Sequence, residues 1–289
     1  MTWKLSLFTV CAPWLPLPEL AALASRQGLH GLDLTVRPHA FDPAKPFNFW
    51  GNNAATLDLA RLGDLAVEAR RALDQHQLSC PVLCSYLQAS EVDAIRRVAD
   101  AAKILGAPMV RVWTLGPRPG EARAQVAQAQ REWQALAELA REYDLRFVLE
   151  LHDRTITSSV SGALRLLDGL DPARVGVILD VANVANEGNE PLATGIDLLG
   201  PYLAHVQVKD ITFTPAKTWN GIQGQFAPLG QGGIDWEHCL RLLRAAGYQG
   251  WLALEDFTRI ERGPERIVDD AAWLRARIAV VDRVIPVAG

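Results

Sequence analysis

Eight short apolar runs alternate along this chain with stretches rich in Ala, Leu, Arg and Glu. That alternation limits the available folds more than any other feature. The runs are residues 3–10 (WKLSLFTV), 30–36 (HGLDLTV), 79–86 (SCPVLCSY), 108–113 (PMVRVW), 145–151 (LRFVLEL), 175–180 (VGVILD), 202–209 (YLAHVQVK) and 250–255 (GWLALE). Helical patterns occupy 56–76, 90–105, 120–143, 157–169 and 235–246. Strands that alternate with helices pair in parallel through crossovers. Eight such units predict one α/β domain over residues 1–289, a single (β/α)8 TIM barrel. The rival, an open doubly wound sheet, needs a Gly-rich turn after its first strand, and TVCAPWLPLPEL offers none. Gly28, Gly106 and Gly247 each follow a helical stretch, where a C-terminal cap belongs, and Asp235 is placed to cap the helix after it.

A chain of 289 residues, 49% hydrophobic, can bury a large core. Its net charge of −4 leaves no basic footprint for nucleic acid or an anionic membrane, so neither is expected as a partner. Cys11, Cys80, Cys84 and Cys239 lack zinc-type spacing and fit a reducing cytoplasm. The opening MTWKLSLFTVCAPW reads as a first core strand, since its apolar run is short for a secretory leader. The oligomeric state is left open, a homo-oligomer included.

The connections after the second strand (37–55) and the seventh (210–234) are long and carry Trp50 and Trp219. In a barrel of this kind, functional loops lie at the C-terminal ends of the strands. The strand ends on that side carry the chemistry. Side chains two apart share a face, which groups Val148, Glu150 and His152; Gly176, Ile178 and Asp180; His205, Gln207 and Lys209; and Trp251, Ala253 and Glu255. If these faces point inward, Glu150, Asp180, Gln207 and Glu255 meet at one rim, on four successive strands. Converging buried carboxylates repel one another and lose solvation, and a divalent cation resolves both problems. Two Glu, one Asp and an amide oxygen suit Mn²⁺ or Mg²⁺.

The segments VLELHD, GVILDVANVANEG, HVQVKDI and PLGQGGIDWEHCLRLLRAAGYQGWLALE resemble the sugar phosphate isomerase/epimerase family of xylose-isomerase-like barrels. The resemblance is strongest over 145–256, and GLHGLDLTV at 28–36 resembles that family's second strand. It implies one divalent metal held by the Glu ending strand five, the Asp ending strand six, a His on strand seven and the Glu ending strand eight. By position these are Glu150, Asp180 and Glu255, and the two Glu also act as acid and base. Gln207 stands where the strand-seven His would be, with His205 on the same face as the alternative ligand. The family's D-x-x-H is D-x-x-N here, ending in Asn183.

Such a site implies a metal-dependent isomerase or epimerase that moves a proton on a sugar or keto-sugar through an enediolate, with Glu150 and Glu255 as the working pair. His152, Asn183, His205, Lys209, Arg111, Arg37 and Trp113 are the candidate substrate contacts, with His39 and Trp219 further out. The same enediolate could instead expel a leaving group, making a dehydratase or a lyase on an oxidised glycoside. A related apurinic-site endonuclease needs several metals, many His and a basic face, and six scattered His with net negative charge argue against it. A sugar-binding or partner subunit without activity is the remaining alternative.

Overall fold

A computed structural model describes residues 3–284 apart from 219, together with the backbone but not the side chain of 284. Trp219, an outlying candidate substrate contact above, therefore lies outside the described residues. Eight parallel strands close on themselves: β1 (Lys4–Phe8), β2 (Gly31–Arg37), β3 (Val82–Gln88), β4 (Met109–Trp113), β5 (Arg146–Glu150), β6 (Val175–Asp180), β7 (Leu203–Val208) and β8 (Trp251–Leu254). Each pairs with the next, and β8 pairs with β1, so the sheet closes. The returns are helices α1 (Leu17–Arg26), α2 (Leu62–Gln75), α3 (Val92–Leu105), α4 (Ala122–Tyr143), α5 (Val160–Leu167), α6 (Leu192–Leu199), α7 (Trp236–Ala245) and α8 (Glu265–Val284).

Two apolar layers hold the barrel. The larger packs the outer strand faces against the helices, through residues such as Leu32, Val110, Leu149, Val177, Val206 and Leu252. The smaller includes Phe8, Val82, Cys84, Met109, Val148, Ile178 and Ala204 and fills the interior. Val148 and Ile178 sit two residues before Glu150 and Asp180, so the pleat that buries them inside also turns the two carboxylates inward. Among the described residues, no helix is long and apolar enough to cross a membrane.

Both long loops are ordered by polar anchors. The loop after β2 is tied down by the buried Asn53, whose side-chain amide donates to the carbonyls of Val10 (3.0 Å) and Phe49 (3.0 Å). The loop after β7 begins as an antiparallel hairpin, Asp210–Pro215 with Ile222–Ala227, where the sequence reading has only a loop. Its return is built on Asp210. The Asp210 carboxylate accepts from the backbone N–H groups of Ile211 (2.9 Å), Gly230 (2.9 Å), Gly232 (3.1 Å) and Ile234 (3.2 Å). A Cβ at Gly232 would run into that carboxylate, and one at Gly230, where φ is +78°, would run into Trp273. Asp210 is thus a loop anchor.

Candidate active site

Glu150 is the last residue of β5, Asp180 the last of β6, and Glu255 the first beyond β8. Gln207 faces Asp180 across the β6–β7 register. All four are buried. The structure brings Glu150, Asp180 and Glu255 into one cluster, threaded by two cations. Lys209, 2% exposed, bonds to Asp180 Oδ2 and lies 3.1 Å from Glu255 Oε2. Arg111 Nη1 lies 2.5 Å from Glu150 Oε2, and its guanidinium sits 4.6 Å from the Tyr86 ring centroid and 5.2 Å from that of Trp113.

Asn183 explains the D-x-x-N spacing. Asp180 caps the single helical turn Val181–Asn183 by accepting from the Asn183 backbone N–H at 3.0 Å. The Asn183 amide then donates to Asp180 Oδ2 (2.7 Å), the Leu151 carbonyl (3.2 Å) and Glu150 Oε1 (3.4 Å). It clips two acids together.

The three carboxyls are pushed different ways. Burial alone raises Glu150, but the charges of Arg111, His152 and Lys209 overcome it and hold the group below the usual range. Asp180 is raised, first by burial, with Lys209 offsetting part of it and Glu150 adding to it. Burial, against the opposing charge of Lys209 and with the repulsion of Asp180 and Glu150, pushes Glu255 up to about 8. Burial disfavours a charged His152 ring, yet hydrogen bonding to Asp153 and the charge of Glu150 outweigh it and raise its pKa. All four thiols are buried, and burial raises each of them, which leaves them poor nucleophiles.

The other candidates divide. His152 and Trp113 line the mouth, with ring centroids 4.7 Å apart. His205 lies deeper and turns to Asp33 on β2, Nε2 to Oδ2 at 2.8 Å, with both residues 1% exposed. Arg37 bonds the Trp50 carbonyl and so holds the loop, with its guanidinium 5.5 Å from the Tyr86 ring centroid. His39 is anchored through its backbone N–H to Asp58 at 3.1 Å. Sequence reasoning missed the collar of rings above the polar floor. Trp50 and Phe226 each approach Phe257, at 4.5 and 5.4 Å between centroids, and Tyr86 and Phe8 complete the wall. Strand alternation could have found Tyr86, which shares a face with Cys84. Phe226 needed the hairpin. The collar leaves a cavity of about 40 Å³ above Glu150, Lys209 and Glu255.

Donor chemistry fits a hard divalent ion. Gln207 Oε1 is buried with no hydrogen-bond partner, and carboxylates complete an all-oxygen set. Among the described residues, however, no three Asp, Glu, His or Cys side chains already converge on one point, and the Lys209 ammonium stands between Asp180 and Glu255.

A closed parallel barrel with an acidic, ring-collared pocket at the C-terminal ends of its strands defines a class of small-molecule sites. The chain belongs to the xylose isomerase-like TIM barrel family, whose model matches residues 19–277. It is 30% identical over 140 residues to inosose dehydratase of Bacillus anthracis, covering 43% of this chain and 47% of that protein. It is 28% identical over 143 residues to a rhizopine catabolism protein of Rhizobium meliloti, 43% of this chain and 42% of that one. The chain thus spans about half the length of the curated relatives it matches. Among solved structures, 3-keto-D-glucoside 4-epimerase from E. coli superposes with a TM-score of 0.73 at 17% identity, covering 95% of this chain and all of that one. A xylose isomerase-like TIM barrel protein from Mycobacterium smegmatis in complex with magnesium gives 0.66 at 16% identity, over 97% of this chain and 98% of that one. At such identities the likeness is one of fold.

Proposed function

We propose that this chain is a divalent-metal-dependent isomerase or epimerase acting on a sugar or keto-sugar, with Glu150 and Glu255 as its proton-transfer pair. One observation carries the reading: the two carboxyls face the same small cavity from β5 and from the end of β8, with opposite protonation tendencies. Environments that push two acids apart assign their roles. Glu150, kept ionised by Arg111, takes the proton from carbon. Glu255 returns a proton from its own side of the cavity. Return to the same carbon from the other side inverts it, and return to its neighbour isomerises the sugar. Arg111, His152 and Lys209 supply positive charge and donors where oxyanion charge develops. The collar of rings excludes water and stacks on the apolar face of the sugar. Glu150, Asp180, Gln207 and Glu255 are the residues that would hold Mn²⁺ or Mg²⁺, which as a Lewis acid would polarise the neighbouring substrate oxygens.

A second reading, dehydratase or lyase, is favoured by the match to inosose dehydratase. Proton abstraction by the same Glu150 would then expel a β-substituent.

The test is solvent-deuterium exchange over ketoses and 3-keto-sugars with added Mn²⁺ or Mg²⁺, followed by product analysis. Deuterium at carbon in a rearranged sugar supports the first reading, and an eliminated group supports the second. Glu150→Gln and Glu255→Gln should each abolish exchange in a folded protein. Normal exchange by either variant removes that residue from the mechanism, and no exchange with any metal favours a binding role.

A further inference from the structure

The metal-dependent reading above leaves open how an ion enters a cluster that already holds a lysine. Resting on that reading, we propose that Lys209 and the divalent cation are alternative occupants of one carboxylate cluster. The ammonium serves as the internal counter-cation until an ion displaces it toward the mouth.

Geometry and charge both carry this. The Lys209 ammonium bridges Asp180 and Glu255, two of the residues assigned to the ion. Gln207 Oε1, which has no hydrogen-bond partner, lies in the same cluster, its amide donating to Glu255 Oε1 at 3.3 Å. Even with all three carboxyls ionised, Arg111 and Lys209 leave at most a single negative charge. A divalent ion added with Lys209 still in place would make the buried cluster net positive, with two cations sharing the same oxygens. If Lys209 withdraws, the ion inherits both carboxylates. Arg111 also pairs with one of the assigned residues, but only through Glu150 Oε2, and it is fixed among Tyr86, Trp113 and Phe8, so Lys209 is the cation that gives way. Lys209 also has somewhere to go. Its ammonium already lies 5.2 Å from the Phe226 ring centroid and 5.7 Å from that of Phe257, on the mouth side. Those ring faces can hold a cation, and from there it meets a substrate oxygen. Lys209 is then a substrate contact only in the metal-loaded protein.

Displacing an internal cation lowers apparent metal affinity, as any competing state does. Mn²⁺ binding to the purified, chelator-stripped full chain, measured by calorimetry at one fixed neutral pH, tests this. Lys209→Met should bind Mn²⁺ more tightly than wild type by about tenfold or more. Without metal the variant should melt lower than wild type, and saturating Mn²⁺ should close that gap. If the metal-free variant does not fold, Lys209→Gln purified with Mn²⁺ and titrated with a chelator gives the same comparison. Wild type that binds Mn²⁺ while both variants bind equally or more weakly overturns the competition and leaves the proposed function standing. Binding by the variants but not by wild type supports mutual exclusion in its strongest form. No binding by any form defeats the metal-dependent reading, and this inference with it.

Discussion

Arg111 and Glu150 form a fully buried ion pair, 2.5 Å from Nη1 to Oε2, with exposures of 1% and 4%. Removing one partner of such a pair strands the other charge and costs about 3–5 kcal/mol. Arg111→Met keeps an apolar stem against Tyr86 and Trp113, so the lost charge dominates the effect. We expect that loss in urea unfolding. We also expect the acidic limb of the exchange profile to move to higher pH, because Arg111 favours the ionised form of Glu150 and its removal raises that pKa. Arg111→Lys should fall between the two, since an ammonium cannot reproduce the flat guanidinium against the rings. An unchanged urea midpoint for the methionine variant would show that the pair contributes nothing to folding.

Asp210 presents a different kind of buried charge, satisfied by four backbone N–H groups instead of a cation. Asp210→Asn removes the charge and leaves one acceptor oxygen in place of two. Hydrogen bonds to charged groups are worth about 1.5–3 kcal/mol each. We expect a loss of about 2–3 kcal/mol and new proteolytic sensitivity within 228–234. Cleavage and stability identical to wild type would assign the order of that loop to something other than Asp210.

The contrast between these acids marks where the sequence is readable. Period-two alternation suffices to place Glu150, Asp180, Gln207 and Glu255 at one rim, because the pleat alone decides which way a strand side chain points. Alternation says nothing about partners. That Lys209 pairs with Asp180 on one neighbouring strand and Glu255 at the end of the other is not written in the pattern of its own strand. That His205 turns to Asp33 depends on closure of a sheet between residues 172 positions apart. Barrel closure is legible as a count of strands, but which side chains meet across the interior is not.

His205 illustrates the consequence. As an alternative metal ligand it should, when replaced, lower metal affinity. Held on Asp33, it should instead act on stability, because His205→Ala leaves the Asp33 carboxylate buried without its partner. We expect a loss of about 1.5–3 kcal/mol, the scale of a hydrogen bond to a charged group, with Mn²⁺ affinity of the folded fraction unchanged. A stable His205→Ala protein that fails to bind Mn²⁺ would return His205 to the ligand set.

Asp270 on α8 gives a pH test on an acid that is not one of the proton-transfer pair. It shares a buried cluster with Asp256, Arg259 and Arg266, lying 3.3 Å from Arg259 Nη2, while Asp256 lies 3.1 Å from Arg259 and 3.3 Å from Arg266. Burial first, then the charge of Asp256, pushes its carboxyl up to about 7 from an ordinary 3.8. A raised acid holds its proton more tightly in the folded chain than in the unfolded one. Its contribution to stability is therefore full below about pH 4 and is lost as pH rises through about 7. Asp270→Asn cannot titrate. The melting temperature of wild type minus that of the variant should be larger near pH 5 than near pH 8. Equal differences at the two pH values would place the Asp270 carboxyl in the ordinary range and dissolve the proposed coupling to Asp256.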